Sequence, residues 1–224
     1  MTSEVDICNL ALSHLGDEAT VASIDPPEGS AQADHCARWY PIARDQVLQA
    51  HTWGFALRRV ALASLGAGWS EWQYAYAQPD DCLKLFAILP QSASDDYSVG
   101  SPLPVRNPFG FTVGQAQGYV PQAFSTESDQ DGNTIIYTNT PNATARYVVR
   151  VEDPTKFTPL FVQALSRLLA SYLAGPVIKG QEGIQVASGQ YNAFRIAMAE
   201  AEKADGMTRQ NAPQQVVSWI AGRG

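Results

Sequence analysis

The chain has little that would do chemistry unaided. Three cysteines and three histidines are scattered over 224 residues, and no CxxC or HxxxH spacing assembles them into a zinc site. No Gly-rich loop leads into a helix carrying Lys-Ser or Lys-Thr; Gly66-Ala67-Gly68 runs into Trp69-Ser70 instead. No Gly-x-Ser-x-Gly elbow presents a nucleophile. Continuous apolar runs fall short of the ~20 residues of a membrane span. The start, Met1-Thr2-Ser3-Glu4, lacks the basic residues of a secretory signal, and Asp6 interrupts any apolar stretch. Basic charge is scarce too: 15 Lys and Arg against 22 Asp and Glu leave a net charge of -7. That balance argues against a protein that grips DNA phosphates. An odd, scattered set of cysteines (Cys8, Cys36, Cys82) fits free thiols made in a reducing cytoplasm better than a disulfide framework.

What is present is core material. At 45% hydrophobic and 10% aromatic residues, the chain can fill one domain, or one domain carrying an insertion. Residues 3–16 have the form of a helix. Ser3 caps it, Glu4 and Asp6 sit in its first turn, Ile7, Leu10, Ala11 and Leu15 recur at helical spacing, and Gly16 stops it. Ser30 opens a second helix with an apolar face of Ala33, Cys36, Ala37, Tyr40, Val47 and Leu48. Pro41 inside it predicts a bend near residues 38–40, and Gly54 is expected to end it.

From Phe55 to Val151 the period changes. Phe55, Leu57, Val60 and Leu62 predict a strand, as do residues 72–76 and 83–89. Gly, Pro, Ser and Asp dominate residues 90–130. Residues 134–138 and 145–151 flank Asn139-Thr140-Pro141-Asn142, and this turn chemistry predicts a hairpin. Helical spacing returns after Asp153. Pro159 suits a first turn, and Gly175-Pro176 is expected to end that helix. A last helix is predicted over residues 181–205, with Ile184, Ala187, Tyr191, Phe194, Met198 and Ala201 alternating steps of three and four. The fold class is therefore α+β. Residues 1–54 and 152–205 are expected to form an antiparallel helical bundle, residues 55–151 a β-rich insertion domain, and residues 206–224 a flexible tail. That tail carries Val216, Val217, Trp219 and Ile220, an unusual group to leave in water.

The polar constellations favour structural readings. Cys8 and Cys36 fall on apolar helix faces, where a free thiol packs as a small hydrophobe; His14 and His51 read as cap or core residues. Asp95-Asp96 and the pair Asp129, Asp131 lie in loops. Asp129-Gln130-Asp131-Gly132-Asn133 lacks the later bidentate Glu of an EF-hand and reads as a solvated turn. Asn142-Ala143-Thr144 matches a glycosylation acceptor but sits in turn chemistry. Trp69, Trp72, Tyr74 and Tyr76 could stack sugars or bases, though aromatic alternation on a strand is more often packing. With the loop carboxylates Asp80 and Asp81 they are the basis of an alternative reading, a hydrolase acting on cell-wall sugar.

Three groups of segments together carry a family resemblance. The first is Asn9-Leu10-Ala11-Leu12 with Leu15-Gly16, then Ala43-Arg44-Asp45-Gln46-Val47-Leu48, then His51-Thr52-Trp53-Gly54-Phe55-Ala56. The second is Trp72-Gln73-Tyr74-Ala75-Tyr76 followed by Pro79-Asp80-Asp81-Cys82-Leu83. The third is Phe157-Thr158-Pro159-Leu160-Phe161 with Ala164-Leu165 and Leu169-Ala170. In this order they resemble the head-to-tail adaptors of short-tailed bacteriophages, the tail tubular protein A family. The similarity spans most of residues 4–205.

The resemblance implies a structural virion protein and no enzyme. It implies a homo-oligomeric ring, usually a dodecamer, below the portal protein. Such a ring extends the channel for double-stranded DNA without reading its sequence, and offers the next tail component, a nozzle or tail tube protein, its attachment platform. The implied location is the virion tail at the head-to-tail interface, after synthesis in the bacterial host cytoplasm, with no membrane anchor. The family passes on no catalytic residue, metal ligand or cofactor. Within this picture Val216, Val217, Trp219 and Ile220 are the candidate portal-binding residues, with Trp219 the preferred anchor. An acidic channel component also suits a wall along which DNA slides.

Overall fold

A computed structural model describes residues 2–18, 20–69, 71–90 and 122–208 of the chain. Among them are four α-helices and seven strands in two antiparallel sheets, an α+β fold.

Helix α1 (Glu4–Ser13) starts on a reciprocal capping box. The Ser3 hydroxyl accepts from the Asp6 amide, and the Asp6 carboxylate accepts from the Ser3 amide. These bonds hold the Asp6 carboxyl below its ordinary range. Helix α2 (Ala31–Ala50) opens on Ser30, whose hydroxyl accepts from the Ala33 amide, and runs through Pro41 without a break. It ends at Ala50 and not at Gly54. Trp53 explains the earlier stop: its indole Nε1 donates to the Val47 carbonyl at 2.8 Å, satisfying one of the last four acceptors of the helix. To bring that ring back, the chain leaves the helix at His51, whose backbone is extended.

A 3-10 turn at Gly54–Ala56 leads into β1 (Leu57–Ala61). There follow β2 (Ser64–Ala67), β3 (Tyr74–Ala77), β4 (Cys82–Leu89), β5 (Phe124–Ser128), β6 (Thr134–Thr138) and β7 (Thr144–Val149). One sheet has the order β1-β7-β4, the other β2-β3-β6-β5. The expected hairpin between β6 and β7 does not form; the two strands belong to different sheets. Their link is a corner that buries Thr140 and Ala143 while Asn139, Pro141 and Asn142 stay exposed. The Tyr76 hydroxyl holds it, donating to the Thr140 carbonyl at 3.0 Å and accepting from the Ala143 amide at 3.4 Å. The Leu62 amide then donates to the Ala143 carbonyl at 2.9 Å, which starts β7 on its new partner, β1. Turn residues such as Asn142, at φ 48°, permit the change of direction but do not choose the partner.

Helix α3 (Pro159–Ile178) has Pro159 in its first turn, and the Thr158 hydroxyl accepts from the Phe161 amide. It passes through Gly175-Pro176 and ends at Ile178, one turn later than expected. Pro176 lies inside this last turn, where it removes the one backbone donor that would reach the Tyr172 carbonyl. Helix α4 (Gly180–Met207) follows at once and extends into what the sequence reads as tail. The two helices pack closely: a Cβ on Gly183 would stand 3.0 Å from the Ala174 carbonyl oxygen. Helix α3 touches α1, α2 and α4. It is the one described helix long and apolar enough to span a membrane, and 50% of that apolar window is buried inside the fold.

The core does not stop where the helices stop. One cluster joins Ile7 and Leu12 of α1, Val47 of α2, Phe161 and Leu165 of α3, and Phe194 and Met198 of α4. It continues to Tyr76, Ile88, Ile136 and Val148 of the strands. Strand β7, central between β1 and β4, is buried along residues 145–149.

Candidate interaction surface

The junction between helices and strands is built from aromatic rings. Trp53, 1% exposed, meets Phe161 edge-on at 5.1 Å, His51 edge-on at 4.9 Å and Phe55 at 6.0 Å. Phe55 continues to Phe161 at 5.2 Å and Phe157 at 5.9 Å. Edge-to-face pairing adds about 0.5–1.5 kcal/mol per pair beyond burial. Asp205, near the end of α4, locks the same segment. Its carboxylate accepts from the Gly54 amide at 2.9 Å and lies 3.1 Å from the His51 Nε2. The sequence gives no sign of this role, because an Asp late in an amphipathic helix usually faces solvent.

Arg44 and Asp45 bridge elements within the subunit. Arg44 Nε lies 2.9 Å from Asp45 Oδ1, and Arg150 Nε, just beyond β7, lies 3.0 Å from Asp45 Oδ2. Asp81 has a similar duty: Arg58 of β1 donates to one of its oxygens and the Tyr147 hydroxyl to the other, the latter at 2.8 Å. Burial first, then that bond to a carboxylate, push the Tyr147 hydroxyl up to about 12.

His14 caps a third junction. Its Nε2 lies 3.2 Å from the Ser166 hydroxyl of α3, and its carbonyl accepts from Gln190 of α4 at 2.8 Å. Loss of solvation, then the nearby Arg167 charge, lower its pKa. Cys8 and Cys36 are fully buried in the core shared by α1 and α2. The bond to Cys36, reinforced by burial, raises the Cys8 thiol well above its ordinary range. Burial, then Asp81, push Cys82 up to about 11. Among the described residues no group of three or more His, Cys, Asp or Glu converges as a metal site would require.

The loop carboxylates separate. Asp80 and Asp129 border one hollow of about 450 Å³ with Gln78, Pro79 and Asn133, whereas Asp81 is tied to the sheet. Asp129 builds its own turn, accepting from the Asp131 and Asn133 amides at 2.9 and 2.7 Å and from the Asn133 side chain at 3.0 Å. The Asn133 side chain, then the turn amides, hold its carboxyl below the ordinary range. A general acid needs the opposite shift. Of the aromatic group, Tyr76 is the buried corner clamp, while Trp69 is 74% exposed beside the edge strand β2. Asp95 and Asp96 lie outside the described residues.

The exposed helix faces carry most of what remains. The seam expected on α4 is only half interior. Phe194, Met198 and Ala201 are buried, while Ile184 and Tyr191 are exposed. The opposite face presents Asn192, Arg195, Ile196, Ala199, Glu200 and Lys203 around a shallow hollow of about 580 Å³. On α2, Asp34, Arg38 and Ile42 form an exposed row. Sequence reasoning missed both rows because a helix surface shows its charges without showing what they face. Val216, Val217, Trp219 and Ile220, the candidate portal contacts, lie outside the described residues. No protein-family model matches the chain, and neither does any curated protein.

Proposed function

We propose that this chain is a structural virion protein, a head-to-tail adaptor that forms a ring below the portal of a short-tailed bacteriophage. One observation carries the reading: segments that bear the resemblance are the ones the fold gathers at its junction. Trp53 and Phe55 from the first group meet Phe157 and Phe161 from the third. Asp81 from the second ties β1 to β7 beside them. A motif set that specifies packing at a helix-to-sheet junction suits an assembly part, whose product is a shape. The ring extends the DNA channel, and the acidic chain keeps the duplex sliding by repelling phosphate.

In this reading Val216, Val217, Trp219 and Ile220 dock on the portal, with Trp219 as anchor because buried Trp is enriched among interface hot spots. The test is negative-stain imaging of the chain mixed with its portal. Rings seated on the portal are expected, and removal of residues 216–224 should weaken their attachment. A chain that stays monomeric beside the portal, or that releases sugar from peptidoglycan, overturns the proposal. Rings attached equally well without residues 216–224 overturn the tail's role.

A further inference from the structure

Five charged side chains on the outer faces of α2 and α4 make no ion pair among the described residues: Asp34 and Arg38 on α2, Arg195, Glu200 and Lys203 on α4. A large apolar residue stands in water beside each set. Ile42 is 50% exposed and Ile196 is 65% exposed.

The order along each helix is informative. Read from its N-terminal end, the α2 row is Asp34, Arg38, Ile42: negative, positive, apolar. Read from its C-terminal end, the α4 row is Lys203, Glu200, Ile196: positive, negative, apolar. At 1.5 Å per residue, the first row spans about 12 Å and the second about 10.5 Å. Laid antiparallel, Asp34 meets Lys203, Arg38 meets Glu200, and Ile42 meets Ile196. The α2 row climbs in steps of four. The α4 row combines a four and a three, the spacing of a stripe that stays on one side of a helix. The hollow around Ile196 and Ala199 gives the Ile42 side chain somewhere to go.

We propose that the α2 face of one copy docks antiparallel on the α4 face of the next, with pairs Asp34–Lys203, Arg38–Glu200 and Ile42–Ile196. The contact rests on the ring reading above and names its surfaces. It joins two different faces, so it is heterologous: repetition generates a ring where the rotation closes. The paired charges set the register: shifting the helices by one step brings Asp34 to Glu200 or Arg38 to Lys203, like against like, and reversing them sets Ile196 against Asp34 and Ile42 against Lys203.

The test uses the full chain assembled on its portal, with assembly followed by negative-stain imaging and sedimentation. Arg38→Glu and Glu200→Arg each set two like charges face to face. Each is expected to raise the protein concentration needed for half-complete rings by about threefold to tenfold, the scale of one or two rim ion pairs. Both changes in one chain restore opposite charges and should return assembly to the wild-type level. Circular dichroism of each variant checks that the exposed changes leave the fold intact. Single variants that assemble like wild type overturn the contact while the ring stands. Losses that the double variant does not repair assign the faces to another partner and overturn it too. A wild type that forms no ring overturns the ring reading, and the contact with it.

Discussion

Tyr40 is 1% exposed, and its hydroxyl has no hydrogen-bond partner among the described residues. Burial, then the Glu4 carboxylate, raise its pKa above the ordinary value. A buried polar group without a partner loses its water and gains nothing in exchange, at a cost of about 1–3 kcal/mol. The ring itself is well used, packed in the core with Ile7 and Cys36. Tyr40→Phe keeps the ring and removes the orphan oxygen. It should leave stability unchanged or raise it by about 1 kcal/mol, read as a shift of the urea midpoint at constant slope. A loss of stability on that scale would mean the hydroxyl has a partner after all. Trp53 is the contrasting case. Its indole N–H caps Val47, so its polar atom belongs to the architecture.

At the scale of elements, pH reports on how α1 is fastened to α3 and α4. His14 is the fastener, and its pKa is depressed in the fold, first by desolvation and then by Arg167. The unfolded chain therefore takes up the proton first. This contribution is intact above the ordinary value of 6.5 and is lost as pH falls through the lower folded value. The depressed carboxyls Asp6, Glu28, Asp129 and Asp153 act in a separate window, below ordinary values of 3.8 to 4.5. Glu4, raised chiefly by burial, works in the opposite sense just above 4.5. Urea midpoints measured from about pH 8 to about pH 5 should fall below pH 6.5 for the wild type. For His14→Gln that part of the slope should vanish; identical profiles would remove His14 from the account. The elements themselves were largely legible in the sequence. Ser3 and Ser30 as caps and Pro159 in a first turn mark helix starts because these preferences are local chemistry. Strand partners were not legible: Asn139-Thr140-Pro141-Asn142 has every mark of a hairpin turn, and the hydroxyl that overrides it, on Tyr76, lies far away in sequence. The stop at Ala50 was hidden likewise, because it depends on where the Trp53 ring goes.

For the whole molecule, the pattern of the sequence places a boundary near residues 54–55 and 151–152, where helical spacing gives way to strands and then returns. The core crosses both boundaries, because Trp53, Phe161 and Leu165 share one cluster with Tyr76, Ile136 and Val148. Periodicity reveals which face of an element is apolar, but two apolar faces that meet across such a boundary look the same as two that do not. A shared core has a consequence for unfolding. Helix-weighted far-UV circular dichroism and tryptophan fluorescence should report one coincident transition in urea. Coincidence alone would also arise from two modules of equal stability, so a variant is needed. Ile136, in β6, is fully buried among strand residues and belongs to the common cluster. Ile136→Val removes one methylene, which costs about 0.5–1.5 kcal/mol. If the core is one cooperative unit, the helical signal shifts by the same amount as the fluorescence, with the denaturant slope unchanged. If residues 55–151 unfold by themselves, the helical signal stays where it was.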